Sequence, residues 1–218
     1  MTKINFNNVR EVRHSMKFRL SNDVWNQYRF NSSKNVGKLM HLINEINPNN
    51  MSEWIRGYFN SGKVYQDLLD NGEEPNPKQY GRTKHFLKKL ASKFQKALLA
   101  NCINVTFEEA YEYVLIRVLY ETWIGYRRER KALEMLTKTF PECEVKHTSD
   151  KVDALMAVDY ELFSHDGKRI VGIQVKGKHA SKAVLEENCE RNTMYTQEYG
   201  VGVVFAIIDG ENIIIKTI

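Results

Sequence analysis

Residues 157–178 read AVDYELFSHDGKRIVGIQVKGK, and this stretch decides the fold. It reads as a β-hairpin. Asp166-Gly167 is a two-residue turn signal, because both residues tolerate the positive φ that a tight hairpin demands. With that turn, His165 pairs with Lys168 and pairing steps outward. Leu162 falls opposite Val171, Tyr160 opposite Ile173, and Val158 opposite Val175. Side chains alternate along a strand, so these apolar residues share one face. The other face puts Asp159 opposite Gln174 and Glu161 opposite Gly172, with Lys176 next along the second strand. Directly opposed Cβ atoms sit roughly 4.5–5.5 Å apart. A carboxylate, an amide and an ammonium are then within contact distance, and two side-chain oxygens reach one cation.

Composition sets bounds around that hairpin. A chain of 218 residues and 25.5 kDa holds one good core, or one core with a helical extension. No apolar run approaches the ~20 residues of a membrane span, and the first residues lack the apolar segment of a secretory signal. Cys102, Cys143 and Cys189 are scattered and odd in number, which suits a reducing cytoplasm and gives no zinc spacing. A net charge of +5 and a pI near 9.0 suit a polyanionic partner. ATP-driven chemistry and serine hydrolysis are disfavoured, because neither GxxxxGK[ST] nor GxSxG occurs.

Upstream, residues 1–30 show no clear period and are expected as a loose arm or short elements. One helix is expected from Ser33 to Ile46, with Val36, Leu39, Met40, Leu42, Ile43 and Ile46 on its apolar face. Asn47-Pro48-Asn49-Asn50 breaks it. Met51–Phe59 begins a second helix with Ser52 as cap, a short helix covers Lys63–Leu69, and residues 71–77 form a loop. Lys78–Ala100 is amphipathic: Phe86, Leu87, Leu90, Ala91, Phe94, Ala97 and Leu98 share one arc. Lys84, Lys88, Lys89, Lys93 and Lys96 hold the opposite arc, as a solvated face or as phosphate contacts.

Thr106–Glu109 is a capping box. It opens a long helix to about Phe140, expected to bend near Gly125, with Glu129 set among Arg127, Arg128, Arg130 and Lys131. Pro141 stops the helix. A strand covers Glu142–Thr148, and a loop holding Asp150 and Asp153 leads to the hairpin. Ser181–Glu198 reads as a helix that would join parallel strands. Gly200–Ile208 reads as a strand buried on both faces, and Asp209-Gly210 turns into a last strand to Ile218. The expected class is α/β (α+β), with a mixed central sheet in 106–218 preceded by a mostly helical region in 1–105.

Glu129 on a helix, Asp159 in a strand and Gln174-Val175-Lys176 in the next resemble the PD-(D/E)XK nuclease superfamily, whose core is αβββαβ. Ala157-Val-Asp-Tyr-Glu-Leu162 and Gly172-Ile-Gln-Val-Lys176 look like the motif block of type II restriction endonucleases. Val36–Ile43 followed by Met51-Ser-Glu-Trp54 resembles the N-terminal region of the Mja-type enzymes, a small group of CTAG cutters. The resemblance implies a restriction-endonuclease-like fold and a Mg²⁺-dependent type II restriction endonuclease, cutting double-stranded DNA at a short palindrome. It implies Glu129, Asp159, Gln174 and Lys176 as catalytic residues, and Asp159, Gln174, Glu129 and the Val175 carbonyl as metal ligands. One departure stands out: the acid usual two residues before the lysine is Gln174 here. One fewer negative charge implies weaker metal binding until a DNA phosphate completes the site.

The same resemblance implies a homodimer matched to a two-fold site and a cognate methyltransferase to protect host DNA. Residues 1–105 would bind DNA and build the dimer, with Lys84, Lys88 and Lys93 toward phosphates. Asn188, Arg191, Asn192 and Gln197 on the 181–198 helix carry side chains able to read base edges. Asp153, Glu161 and Glu186 are reserve ligands that turn and surface roles explain adequately. His147, His165 and His179 read as surface histidines, of which His179 merits a test. Two other readings stand beside the restriction enzyme: a repair or recombination nuclease of the same fold, and a non-catalytic DNA-binding module.

Overall fold

The computed structural model describes residues 6, 9–62, 67, 70–72, 83–178 and 182–217. Most of the helix expected over 63–69, most of the 71–77 loop, residues 78–82, His179 and Ser181 lie outside the described residues. Two compact units divide the chain, residues 1–126 and 127–218, so residues 106–126 go with the first.

The first unit is helical: α1 (Val9–His14), α2 (Met16–Gln27), α3 (Ser33–Val36), α4 (Leu39–Ile46), α5 (Met51–Ser61), α6 (Lys84–Ala100) and α7 (Phe107–Leu115). Of the loose arm or short elements expected over 1–30, the structure shows two short helices, Val9–His14 and Met16–Gln27, with Phe18, Val24 and Trp25 in the core. The buried stripe of α2 runs through Ser21, a polar residue that hides the period. The single helix expected over 33–46 is split, because Gly37 takes φ +76. Asn50, not Ser52, caps α5: its side chain accepts from the Glu53 N–H at 3.0 Å. The lysine-faced helix α6 buries Leu87, Leu90, Ala91, Phe94, Ala97 and Leu98, while Lys88, Lys89, Lys93 and Lys96 are exposed. The Thr106–Glu109 capping box forms as expected.

The helix that follows runs unbroken through Gly125. Instead a π-helical turn, Ile116–Tyr120, separates α7 from α8 (Glu121–Thr139). Widening to the π form frees backbone acceptors, and the buried Trp54 indole N–H donates to the Leu119 carbonyl at 3.0 Å. The division between the units falls six residues into α8.

The second unit carries β1 (Cys143–His147), α9 (Asp150–Met156), β2 (Tyr160–Ser164), β3 (Arg169–Gly177), α10 (Lys182–Tyr199), β4 (Val203–Asp209) and β5 (Asn212–Thr217). The strands form one mixed sheet in order β1-β2-β3-β4-β5, and only β3 with β4 is parallel. Helix α10 makes that parallel crossover, since parallel neighbours cannot be joined by a tight turn. On one sheet face Tyr160, Leu162, Ile173, Val175 and Ala206 pack with Ala132 and Leu136 of α8. Each such large side chain, fully buried, contributes about 1.5–3 kcal/mol. Val152, Met156, Val158, Tyr195 and Val203 form a second cluster.

The hairpin keeps most of its expected register: Tyr160 pairs with Ile173, Glu161 with Gly172 and Leu162 with Val171. The ladder stops there, so Asp159 and Val158 do not pair with Gln174 and Val175, and Val158 packs instead with Tyr195 in the second cluster. The turn differs too. Ser164, not His165, faces Lys168: its N–H donates to the Lys168 carbonyl at 2.9 Å. Three residues fill the loop, and Gly167 alone takes positive φ, +79. The ladder recovers its register by a bulge, with Phe163 pairing to Arg169 and Ile170 left over. The loop expected at Asp150–Asp153 is helix α9, capped by Ser149 and ended by Ala157 at φ +56.

Candidate active site

The chain reaches β2 through a sharp reversal at Ala157, and Asp159 stands one residue before the strand. Its N–H donates to the Ile173 carbonyl at 2.9 Å. Its carboxylate Oδ2 accepts from the Val175 N–H at 2.6 Å. A side chain thus takes over where the β2–β3 ladder ends, and the carboxylate is fixed against β3. On the other flank, Thr148 donates to the carbonyls of Val158 and Asp159, at 2.5 Å from its hydroxyl and 3.2 Å from its N–H respectively.

Glu129 comes from α8. The Tyr160 hydroxyl, at the start of β2, donates to the Glu129 carbonyl at 2.9 Å and ties that turn of helix to the strand. The site's electrostatics show how close the groups are. Burial, then the charges of Asp159 and Asp153, push the Glu129 carboxyl up to about 8, against a weaker pull from Arg128 and Lys176. Burial also raises Asp159 to about 6, although the Val175 N–H favours its ionised form. The Lys176 ammonium is pushed below its ordinary value by burial, with Asp159 opposing. Two desolvated acids and one desolvated base therefore share a small region, and each finds its charged form costly there.

Gln174 sits apart in one respect. It is 2% exposed, and its Oε1 accepts from Asn192 Nδ2 of α10 at 3.4 Å. The carbonyl oxygen of Asn192, its Oδ1, is buried and unpaired. Asp159, Lys176 and Glu129 are thus brought together, while the Gln174 amide is turned into the packing beneath α10. Asn188 and Asn192 lie on the buried side of that helix, 6% and 3% exposed, where no base edge could reach them without a rearrangement. Arg191 is engaged as well: it donates to the carbonyls of Asp153 and Leu155 at 3.1 and 3.3 Å, tying α10 to α9. The exposed positions Glu186, Glu190, Thr193, Met194 and Gln197 make the open side of α10.

Glu161 is a packing residue. Its Oε1 accepts from the Tyr195 hydroxyl at 2.6 Å and lies 2.7 Å from Arg169 Nε. The Tyr195 ring covers Gly172, where a Cβ would stand only 2.8 Å from it. His165 is exposed beside Glu142. His147 packs its ring on Tyr160, centroids 4.3 Å apart, and burial lowers its pKa.

Asp153, expected only as a reserve ligand, Arg191, expected as a base reader, and Arg128, given no role, all act electrostatically on Asp159, Glu129 or Lys176. The helix that carries Asp153 was not legible, because the seven-residue α9 is too short for a clear period. Among the described residues no three histidine, cysteine or carboxylate side chains cluster as a metal centre by themselves. The donors on hand are two carboxyls and neutral oxygens. Such an all-oxygen set fits a hard divalent cation and not a soft one. A cavity of about 220 Å³ in the first unit, between Val12, Phe18, Leu98, Val105 and Tyr113, holds none of these acids. No helix among the described residues is long and apolar enough to cross a membrane.

The model of the MjaI restriction endonuclease family matches residues 19–213. No curated protein and no solved structure matches the chain. The match runs through both units and spans Glu129, Asp159, Gln174 and Lys176. The chain belongs to the MjaI restriction endonuclease family and is a type II, site-specific deoxyribonuclease.

Proposed function

We propose that this nuclease is Mg²⁺-dependent and cuts double-stranded DNA at the palindrome CTAG, using Glu129, Asp159, Gln174 and Lys176. The observation that carries this reading is the concentration of two acids with raised pKa and one lysine with lowered pKa where β2 and β3 part. Burial is what raises both acids most, and a bound cation would offset that cost.

Asp159 and Glu129 would hold the metal, with the Val175 carbonyl as a neutral donor; the Gln174 amide oxygen would join them only by leaving Asn192. Bound there, Mg²⁺ would stabilise charge on the scissile phosphate and acidify a water. The protein's own groups do the rest. The Val175 N–H keeps the Asp159 carboxylate in one orientation. Lys176, whose ammonium is already destabilised, positions the attacking water and takes or returns a proton at Nζ. With Gln174 in place of an acid, the donor set carries less charge than the cation wants, so a DNA phosphate oxygen completes it.

The protein would act as a homodimer, since a two-fold site calls for two copies of one catalytic centre. The exposed lysines of α6, Lys88 and Lys93, with Lys84 beside them, would meet phosphates. A cognate methyltransferase would shield the same site in a cytoplasm shared with the host genome. The test is to incubate the protein with DNA of mixed sequence and Mg²⁺ and to sequence the fragment ends. Ends that share CTAG, and vanish with a chelator, are expected. Ends of random sequence, or cleavage that persists in chelator, contradict the reading.

A further inference from the structure

Arg128 precedes Glu129 on α8 and is partly exposed. Its guanidinium lies against the last residue of β3: a Cβ on Gly177 would stand 3.3 Å from each of Arg128 Cζ, Nε and Nη2. Three atoms at one distance mean that the guanidinium plane faces the strand. Gly177 follows Lys176 directly, and its φ is not in the left-handed region, so backbone conformation does not explain the glycine. Close approach of the guanidinium does. Arg128 acts electrostatically on both Glu129 and Lys176. Among the described residues no ion pair or hydrogen bond holds its donors, whereas Lys131, three residues on, is paired to Glu211.

A guanidinium that lies flat against the end of the strand, always charged and without an acceptor among the described residues, is prepared for one. Its fork of N–H donors matches the two non-bridging oxygens of a phosphodiester, which a lysine in the same place would meet only as a point charge. We propose that Arg128 is a substrate-contacting residue of this nuclease, donating from its seat on Gly177 to the DNA phosphate that enters beside Glu129 and Lys176. This rests on the reading of Glu129, Asp159 and Lys176 as the catalytic cluster. Arg128 would hold the phosphate in place and stabilise the charge that grows on its oxygens during attack. Arg127, exposed on the same helix, has no such seat.

The test compares steady-state cleavage of supercoiled plasmid DNA with Mg²⁺ by wild type, Arg128→Lys, Arg128→Ala, Gly177→Ala and Arg127→Ala, beside Asp159→Ala and Lys176→Ala. Arg128→Ala and Arg128→Lys are expected to lower kcat by about tenfold or more, with KM changed less than about threefold. Gly177→Ala, which shifts the guanidinium by tenths of an ångström without removing it, should fall between these and wild type. Arg127→Ala should keep wild-type kcat. If Arg128→Ala melts early, Arg128→Lys decides, because it keeps the stem and the charge. Wild-type kcat in Arg128→Lys, while Asp159→Ala and Lys176→Ala are dead, overturns this inference and leaves the catalytic cluster standing. Full cleavage by Asp159→Ala and Lys176→Ala removes the cluster, and the role of Arg128 with it.

Discussion

The Asp159 carboxylate accepts the Val175 N–H at 2.6 Å, replacing a strand-to-strand bond at the point where β2 leaves β3. One oxygen therefore has a structural duty, and the other is left for chemistry. Asp159→Asn keeps an acceptor for Val175 and removes the negative charge. It should leave the thermal midpoint equal or higher, because burial disfavours the charge, yet lower cleavage roughly a hundredfold or more. Asp159→Ala should also lose about 1–3 kcal/mol by stranding the Val175 N–H. Thermal melts and plasmid cleavage, run on both variants, check the split.

Glu129 sets a pH dependence whose sign follows from its environment. Its carboxyl is raised from an ordinary 4.5 to about 8. The folded state then binds the extra proton, so the stability this group contributes is whole below about pH 4.5. It is lost as pH rises through about 8. Without metal, stability should fall across that window by up to about 1.4 kcal/mol per pH unit, and Asp159 adds the same sign at lower pH. Glu129→Gln should flatten the slope. Melting in chelator from pH 5 to 8 checks this; a wild-type slope that is flat or rising contradicts it.

Gln174 makes a prediction about metal. Calorimetry should find weak Mg²⁺ binding by the free protein and much tighter binding with DNA present. Gln174→Glu should tighten binding to the free protein, its carboxylate turning from Asn192 toward the cation. It should lower stability without metal, since position 174 is 2% exposed and an unpaired charge there is costly. Tight Mg²⁺ binding by the free wild type would count against the role given to this glutamine.

Much of the fold was legible because burial follows simple periods. Tyr160, Leu162, Val171 and Ile173 alternate, so their register was readable, and Leu87 to Leu98 follow a 3.6-residue stripe. The hairpin turn was not, because Asp166-Gly167 also suits a three-residue loop and the bulge at Ile170 absorbs the difference. The N-terminal helices hid behind Ser21 in their buried stripe. Of the site, Asp159, Lys176 and Glu129 were readable as a pattern on neighbouring elements. The inward turn of Asn188 and Asn192 was not, since α10 buries amides where a hydrophobic count looks for apolar residues. Arg128 gave no signal until its seat on Gly177 was seen.

Glu161 is expected to be a packing residue, not a ligand. It joins Tyr195 and Arg169, and its loss leaves a partly buried guanidinium and hydroxyl without their acceptor. Glu161→Ala should cost about 2 kcal/mol or more. Below its melting temperature it should keep the Mg²⁺ dependence and the cut site of wild type. Denaturant melts and fragment-end sequencing check the two halves.

The exposed lysines of α6 are expected to add affinity without sequence preference. Lys88→Ala with Lys93→Ala should weaken binding to all duplexes alike and reduce the slope of log affinity against log salt by roughly 2. Titrations of specific and random duplexes at several salt concentrations measure it. An unchanged slope would mean that this face is only solvated.

The most direct test of the central claim is Mg²⁺-dependent cleavage of plasmid DNA by Lys176→Ala and Asp159→Asn, each shown by melting to be folded. Both should bind DNA and fail to cut it. Cutting at the wild-type rate by either folded variant would contradict the placement of the reaction at this end of β3.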